Sequence, residues 1–186
     1  MTRLAISLLC VFMIVLLSPV WIIAAFLIAF EDGGSPLLSQ KRVGRHKKVF
    51  YCYKLRTMHT ETKHVASHDA STSQITKIGK VLRKTGLDEL PQLLNIIKGD
   101  MNFVGPRPCL PSQSELIAAR EAEGVFEIRP GVTGLAQIQG VDMSEPAKLA
   151  AIDSKYVRNR TFLMDLKIIR ATLGGKGSGD AIKSDS

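Results

Sequence analysis

The chain has 186 residues, a formal net charge of +8 and 45% hydrophobic residues. A chain this short holds one domain of ordinary size, which excludes a large multidomain enzyme or a long transporter. No charge falls between Arg3 and Glu31, so an apolar segment precedes a basic, water-soluble remainder.

As a helix, Leu4 to Phe30 would extend about 40 Å, against a hydrocarbon core of about 30 Å. A cleaved signal peptide fits less well, because Arg3 is the only basic residue before an apolar run longer than such signals carry. Ser18-Pro19 interrupts the run, and proline removes a backbone donor and bends or breaks a helix. A sharp break leaves halves of about 21 Å and 16 Å, neither long enough to cross, and makes a re-entrant hairpin possible. On physical grounds alone a kinked spanning helix is the commoner outcome. Ser18 is placed to hydrogen-bond a carbonyl that the proline frees. Lys41, Arg42, Arg45, Lys47, Lys48, Lys54 and Arg56 follow, so the positive-inside rule puts the soluble part in the cytoplasm.

Pro36 to Val43 and Lys47 to Arg56 flank Gly44-Arg45-His46, and the alternation of Val49, Tyr51 and Tyr53 predicts a β-hairpin. His59 to Gln74, rich in Thr, Ser and His, reads as a loop. Ile75, Ile78, Val81 and Leu82 predict a helix over 75–85, stopped by Gly86. A second helix is expected from Asp88 to Ile97, with Pro91 early in it and Gly99 as its stop. Further helices are expected at Ser112 to Glu123, Pro146 to Val157 and Phe162 to Leu173, and a disordered tail from Gly174. Cys10, Cys52 and Cys109 form no disulfide or zinc pattern, and His46, His59, His64 and His68 show no ligand spacing.

Leu87-Asp88-Glu89-Leu90-Pro91-Gln92-Leu93 places adjacent carboxylates at the expected start of a helix. The plain explanation is capping, since Asp is a preferred N-cap and acidic first-turn residues suit the helix dipole. A carboxylate there can equally serve as a nucleophile or a magnesium ligand. Rigid arginine turns follow, at Gly105-Pro106-Arg107-Pro108 and at Arg129-Pro130-Gly131-Val132-Thr133-Gly134-Leu135-Ala136-Gln137. Arginine on a stiff turn suits bidentate phosphate recognition.

These motifs, with Ser18-Pro19, Tyr53-Lys54-Leu55-Arg56-Thr57-Met58, Lys98-Gly99-Asp100-Met101, Tyr156 and Phe162-Leu163-Met164-Asp165-Leu166-Lys167-Ile168, make the chain similar to the monotopic bacterial phosphoglycosyl transferases, or bacterial sugar transferases. The similarity extends from about Leu4 to Leu173 and resembles the family's minimal catalytic form, without the extra N-terminal membrane domain of larger relatives.

The resemblance implies an α+β, mostly helical fold. It would have a re-entrant membrane helix over 1–31 broken at Ser18-Pro19, a cytoplasmic catalytic domain over 32–173 with a β-hairpin and amphipathic interfacial helices, and a tail over 174–186. It implies transfer of a phosphosugar from a UDP-sugar to polyprenol (undecaprenyl) phosphate, releasing UMP, at the inner membrane. Asp88 would be the nucleophile and Glu89 its partner, either or both holding Mg2+. Arg107, Arg129, Lys54, Arg56 and Gln137 would bind substrate phosphates. The partners implied are the UDP-sugar, polyprenol phosphate, inner-membrane lipids, a homo-oligomer and downstream glycosyltransferases. After Gly140, where many relatives carry Arg then Trp, this chain reads Val141-Asp142-Met143-Ser144, which together with Gly105-Pro106-Arg107-Pro108-Cys109-Leu110-Pro111 resembles members using deoxy-N-acetylamino sugars.

The competing reading is a non-catalytic membrane-anchored module that binds anionic lipid or nucleic acid through its charge. It leaves the acidic pair between rigid arginine turns unexplained. With 6% aromatic residues and no RNA-binding signature, nucleic acid is not expected.

Overall fold

A computed structural model of the chain describes residues 3–62 and 74–177. Most of the expected loop over 59–74, with His64 and His68, lies outside the described residues, as does most of the expected tail. The fold is mostly helical, with two small two-stranded sheets. The described residues divide into two compact units, one of residues 3–40, 52–62 and 74–99, the other of residues 41–51 and 100–177.

The first unit is built on helix α1 (Arg3–Asp32), long and apolar enough by length and composition to cross a membrane. Ser18-Pro19, the expected break, lies inside this helix, with helical residues on both sides of Pro19. Proline at position 19 cannot donate to the carbonyl of Val15, four residues back. Ser18 Oγ donates to that carbonyl instead, at 2.8 Å, so the lost ladder bond is replaced within one turn. Large apolar side chains such as Leu4, Phe12, Val15, Ile22, Phe26 and Phe30 stay exposed along α1, and only Cys10, Ala24 and Ile28 are buried.

Both ends of α1 are anchored. Arg3 Nη2 donates to the Lys98 carbonyl at 3.1 Å. At the other end, the Glu31 carboxylate accepts from the amides of Lys77 and Ile78, at 2.7 and 3.0 Å, capping helix α2 (Lys77–Thr85). Thr76 Oγ1 caps the same helix by accepting from Gly79 N, and Gly86, at φ +69°, closes it in a left-handed turn. Ala24 and Ile28 of α1 pack with Leu82 of α2 and with Leu55, Ile78 and Leu87.

The hairpin is present, with β1 (Leu37–Val43) and β2 (Val49–Leu55) paired and closed by a tight turn at Arg45–Lys47. The turn holds His46 and Lys47 at φ 54° and 57°, a conformation non-glycine residues seldom adopt. Leu37–Gln40 and Cys52–Leu55 belong to the first unit and the closed end to the second.

The predicted helix from Asp88 begins later. Leu87–Glu89 form a 3-10 turn, and helix α3 runs over Gln92–Lys98, ended by Gly99 in the left-handed region. Pro91 explains the shift. It has no N–H to donate to the Leu87 carbonyl, which accepts from Leu90 N at 3.3 Å, a three-residue step.

In the second unit, β3 (Asn102–Val104) and β4 (Gly131–Thr133) pair in parallel, Asn102 opposite Gly131 and Val104 opposite Thr133. Neither strand is evident from periodicity, since each is three residues long beside a Gly-Pro or Pro-Gly turn. Helices α4 (Ser114–Ala122), α5 (Leu135–Ile138), α6 (Pro146–Asn159) and α7 (Phe162–Leu173) complete the unit. One core joins Val43, Cys109, Leu116, Ala136, Val141 and Leu149, and another joins Val104, Tyr156 and Ile168. Phe162, Leu163, Leu166 and Leu173 remain exposed on α7.

Candidate active site

Asp88 is only 5% exposed, within the 3-10 turn between α2 and α3. An aspartate acting as an N-cap would be explained by its helix, but neither the turn nor α3 has a side-chain cap, and the position before α3 is Pro91. Capping therefore does not account for the burial of Asp88. Glu89, half-buried, is its neighbour in the same turn. Among the described residues, no group of three or more His, Cys, Asp or Glu side chains converges on a metal position. Two adjacent carboxylates would suit a magnesium ion, since this cation commonly takes one or two carboxylates and completes its shell with other oxygens.

The first unit also holds Lys54 and Arg56. Lys54 is half-buried within β2. Arg56 serves the end of α1: its guanidinium pairs with the Asp32 carboxylate at 3.1 Å and donates to the Gly33 carbonyl. Asp32 also meets His59 Nδ1 at 2.9 Å and accepts from Thr60 N at 2.7 Å. The bonds from His59 and Thr60, helped by the positive charge of Arg56, hold the Asp32 carboxyl below its ordinary pKa. Arg56, expected at a phosphate, thus fastens the chain behind α1 in this structure.

Arginine 83 was not among the residues expected at the site, yet it is 5% exposed in the last turn of α2. The sequence did contain a signal for it. Gly79, Leu82, Arg83 and Gly86 follow helical spacing, and glycine inside a helix marks a close approach rather than a solvent face. A Cβ at Gly79 would stand 2.1 Å from the Thr57 carbonyl oxygen.

Arg107, Arg129 and Gln137 lie in the second unit, on segments that the β3–β4 pair brings side by side. Gly105 N donates to Thr133 O at 2.9 Å and Gly131 N to Pro106 O at 3.0 Å. The backbones are so close that a Cβ at Gly131 would lie 2.1 Å from Gly105 N. Glycine is required at both places by space rather than by φ.

The turn carrying Arg107 is fixed from behind. Arg120, 1% exposed, donates through Nη1 to the Arg107 carbonyl at 2.8 Å, and through Nε and Nη2 to Asp153 Oδ2 at 3.0 and 2.6 Å. Arg42 Nη1 donates to the Pro108 carbonyl at 2.9 Å. Gln137 Nε2 reaches Val132 O at 3.3 Å, while its buried Oε1 has no hydrogen-bond partner. Neither Arg120 nor Asp153 stands out in the sequence, because their pairing joins α4 to α6 across 33 residues.

The model of one protein family, bacterial sugar transferase, matches residues 1–176. The chain is 38% identical to the exopolysaccharide production protein ExoY of Sinorhizobium fredii, over 86% of this chain and 78% of that protein. It is 37% identical to the UDP-glucose:undecaprenyl-phosphate glucose-1-phosphate transferase of Caulobacter vibrioides, over 85% of this chain and 62% of that one. With the undecaprenyl-phosphate galactose phosphotransferase of Salmonella typhimurium the identity is 33%, over 88% of this chain and 38% of the relative. The acidic turn and the paired arginine loops therefore lie within the matched region, and the chain belongs to the bacterial sugar transferase family.

Proposed function

We propose that this protein transfers a phosphosugar from a UDP-sugar to undecaprenyl phosphate at the cytoplasmic face of the inner membrane, with Asp88 as covalent nucleophile. The observation that carries the reading is the burial of Asp88 in a turn it does not cap, between two helices of a sugar transferase. Relatives named for glucose-1-phosphate and galactose phosphate transfer to undecaprenyl phosphate support the reaction class.

In this reading an Asp88 carboxylate oxygen attacks the β-phosphorus of the UDP-sugar. The bond from that phosphorus to the bridging oxygen breaks, and UMP leaves with the electron pair. The product is a sugar-phosphoryl-aspartate. An oxygen of undecaprenyl phosphate then attacks the same phosphorus, which frees the Asp88 carboxylate and gives the lipid diphosphosugar. Arg107 and Arg129 bind phosphate oxygens from loops that the β3–β4 pair holds rigid, so little reorganisation is needed as charge develops. Lys54 adds positive charge, Gln137 offers its acceptor to a substrate donor, and Glu89 supports Asp88. Magnesium, held by Asp88 or Glu89 or both, supplies charge neutralisation on the diphosphate when bound.

The same reading makes α1 re-entrant, bent at Pro19 rather than broken. A straight helix of this length would run about 44 Å. Its ends are held by Lys98 and Arg56, and Lys98 Nζ donates to Tyr53 Oη at 2.7 Å. Tyr53 is three residues from Arg56, about 10 Å along a strand. Both ends thus return to one small region of the first unit, which supports a bent path that enters and leaves by one face.

The test is UMP release from a panel of UDP-sugars with undecaprenyl phosphate and magnesium. The panel includes glucose, galactose and deoxy-N-acetylamino sugars. Release with at least one donor is expected, and no release from folded, membrane-bound protein with any of them would refute the reading.

A further inference from the structure

Arg83 presents five N–H donors on a guanidinium that is almost wholly withdrawn from water. Its Nε donates to Thr57 Oγ1 at 2.8 Å, whereas Nη1 and Nη2 are buried with no hydrogen-bond partner. The two carboxylates closing α1 are committed elsewhere, Glu31 to the first amides of α2 and Asp32 to Arg56, His59 and Thr60. A buried cation with its outer edge unmatched is a costly arrangement unless something completes it. Two adjacent NH2 groups form the fork that matches two oxygens of one phosphoryl group.

The fold fixes the backbone that carries that fork and holds its Nε end on Thr57. Thr57 O accepts from Thr76 N at 3.1 Å, and the missing side chain of Gly79 lets α2 sit directly on the Thr57 backbone. Leu82, beside Arg83, is locked in the core with Leu55 and Leu87. Three residues on, Gly86 N donates to the Arg83 carbonyl at 3.2 Å, and Glu89 N donates to Gly86 O at 3.3 Å. Two consecutive tight turns therefore link Arg83 to Asp88, keeping this stretch of chain compact.

We propose that Arg83 is a substrate-binding residue whose free guanidinium edge takes non-bridging oxygens of the diphosphate beside Asp88. The proposal rests on the reading of Asp88 as nucleophile. The ligand class is a phosphate or diphosphate oxyanion, and two N–H donors on one phosphoryl group would stabilise the charge that builds on it during attack.

The experiment uses the full chain in lipid nanodiscs and inorganic pyrophosphate as probe, with acetate at matched ionic strength as control. Pyrophosphate, not acetate, is expected to raise the Tm of the wild type, and Arg83→Gln is expected to weaken pyrophosphate binding about tenfold or more. The ligand-free Tm of Arg83→Gln should be no lower than wild type, since an unmatched buried charge has been removed. Arg83→Lys keeps the charge without the fork, and should slow protein labelling by a phosphate-labelled donor on the order of 100-fold. An unchanged pyrophosphate response in Arg83→Gln or Arg83→Lys, or labelling of Arg83→Lys at the wild-type rate, overturns the proposal. Arg83-dependent pyrophosphate binding without any label on wild-type protein would keep the anion site and discard Asp88 as nucleophile.

Discussion

Asp153 holds Arg107 in place without touching it: its Oδ2 accepts two bonds from Arg120, whose Nη1 donates to the Arg107 carbonyl at 2.8 Å. Both members of the ion pair are about 2% exposed at the side chain. Removing one member strands the other, so Asp153→Asn is expected to destabilise the protein by about 3–5 kcal/mol. An apolar double replacement, Arg120→Met with Asp153→Leu, should recover most of that loss. It should not recover UMP release, because the Arg107 turn then lacks its donor. Chemical unfolding and the donor assay, run on the same variants, separate the two effects; full activity in the double variant would show the link to be stabilising only.

The nucleophile is tested by replacing one atom. Asp88→Asn preserves size at a buried position yet removes the carboxylate charge on which the proposed attack depends. Labelling of the protein by a phosphate-labelled donor should disappear, while Glu89→Gln, at the half-buried neighbour, should slow labelling without abolishing it. Label retained in Asp88→Asn assigns the nucleophile elsewhere.

In the re-entrant reading the bend of α1 depends on Pro19, and Ser18 donates to the Val15 carbonyl that Pro19 leaves without its usual donor. A cysteine placed at Thr2 is expected to react with a membrane-impermeant reagent only from the cytoplasmic side. Ser18→Leu with Pro19→Ala restores an ordinary helical ladder and should move that cysteine to the opposite face. Reaction from the periplasmic side in the unaltered helix would mean that α1 spans.

Asp32 makes the fastening behind α1 sensitive to acid. Its pKa lies below the ordinary carboxylate value because His59 and Thr60 donate to the charged form. The stabilisation is complete above the unfolded value, about 3.9, and is lost as pH falls through the lower folded value. Hydrogen exchange at the Thr60 amide, corrected for its intrinsic rate, should stay slow at about pH 5 and accelerate only below about pH 4. In Asp32→Asn the amide should exchange rapidly at both.

Much of the first unit was legible because its signals are local. Apolar runs, Gly86 and Gly99 as helix stops, and the alternation of Val49, Tyr51 and Tyr53 act within a few residues, and the corresponding helices and hairpin are present. Pro91 was legible as a residue but not in its effect, since the shift from α-helix to 3-10 turn depends on which carbonyl loses its donor.

The sequence by itself determined the family, the acidic turn, the arginine turns and the apolar segment, because each is written in contiguous residues. Only the tertiary structure decided how those residues are used. It gave Arg56 to the end of α1, left the edge of Arg83 open, joined the two arginine loops through three-residue strands, and placed Arg120 and Asp153 behind Arg107. Each decision turns on hydrogen-bond partners distant in the chain, and a buried donor's partner is set by packing rather than by its neighbours in sequence.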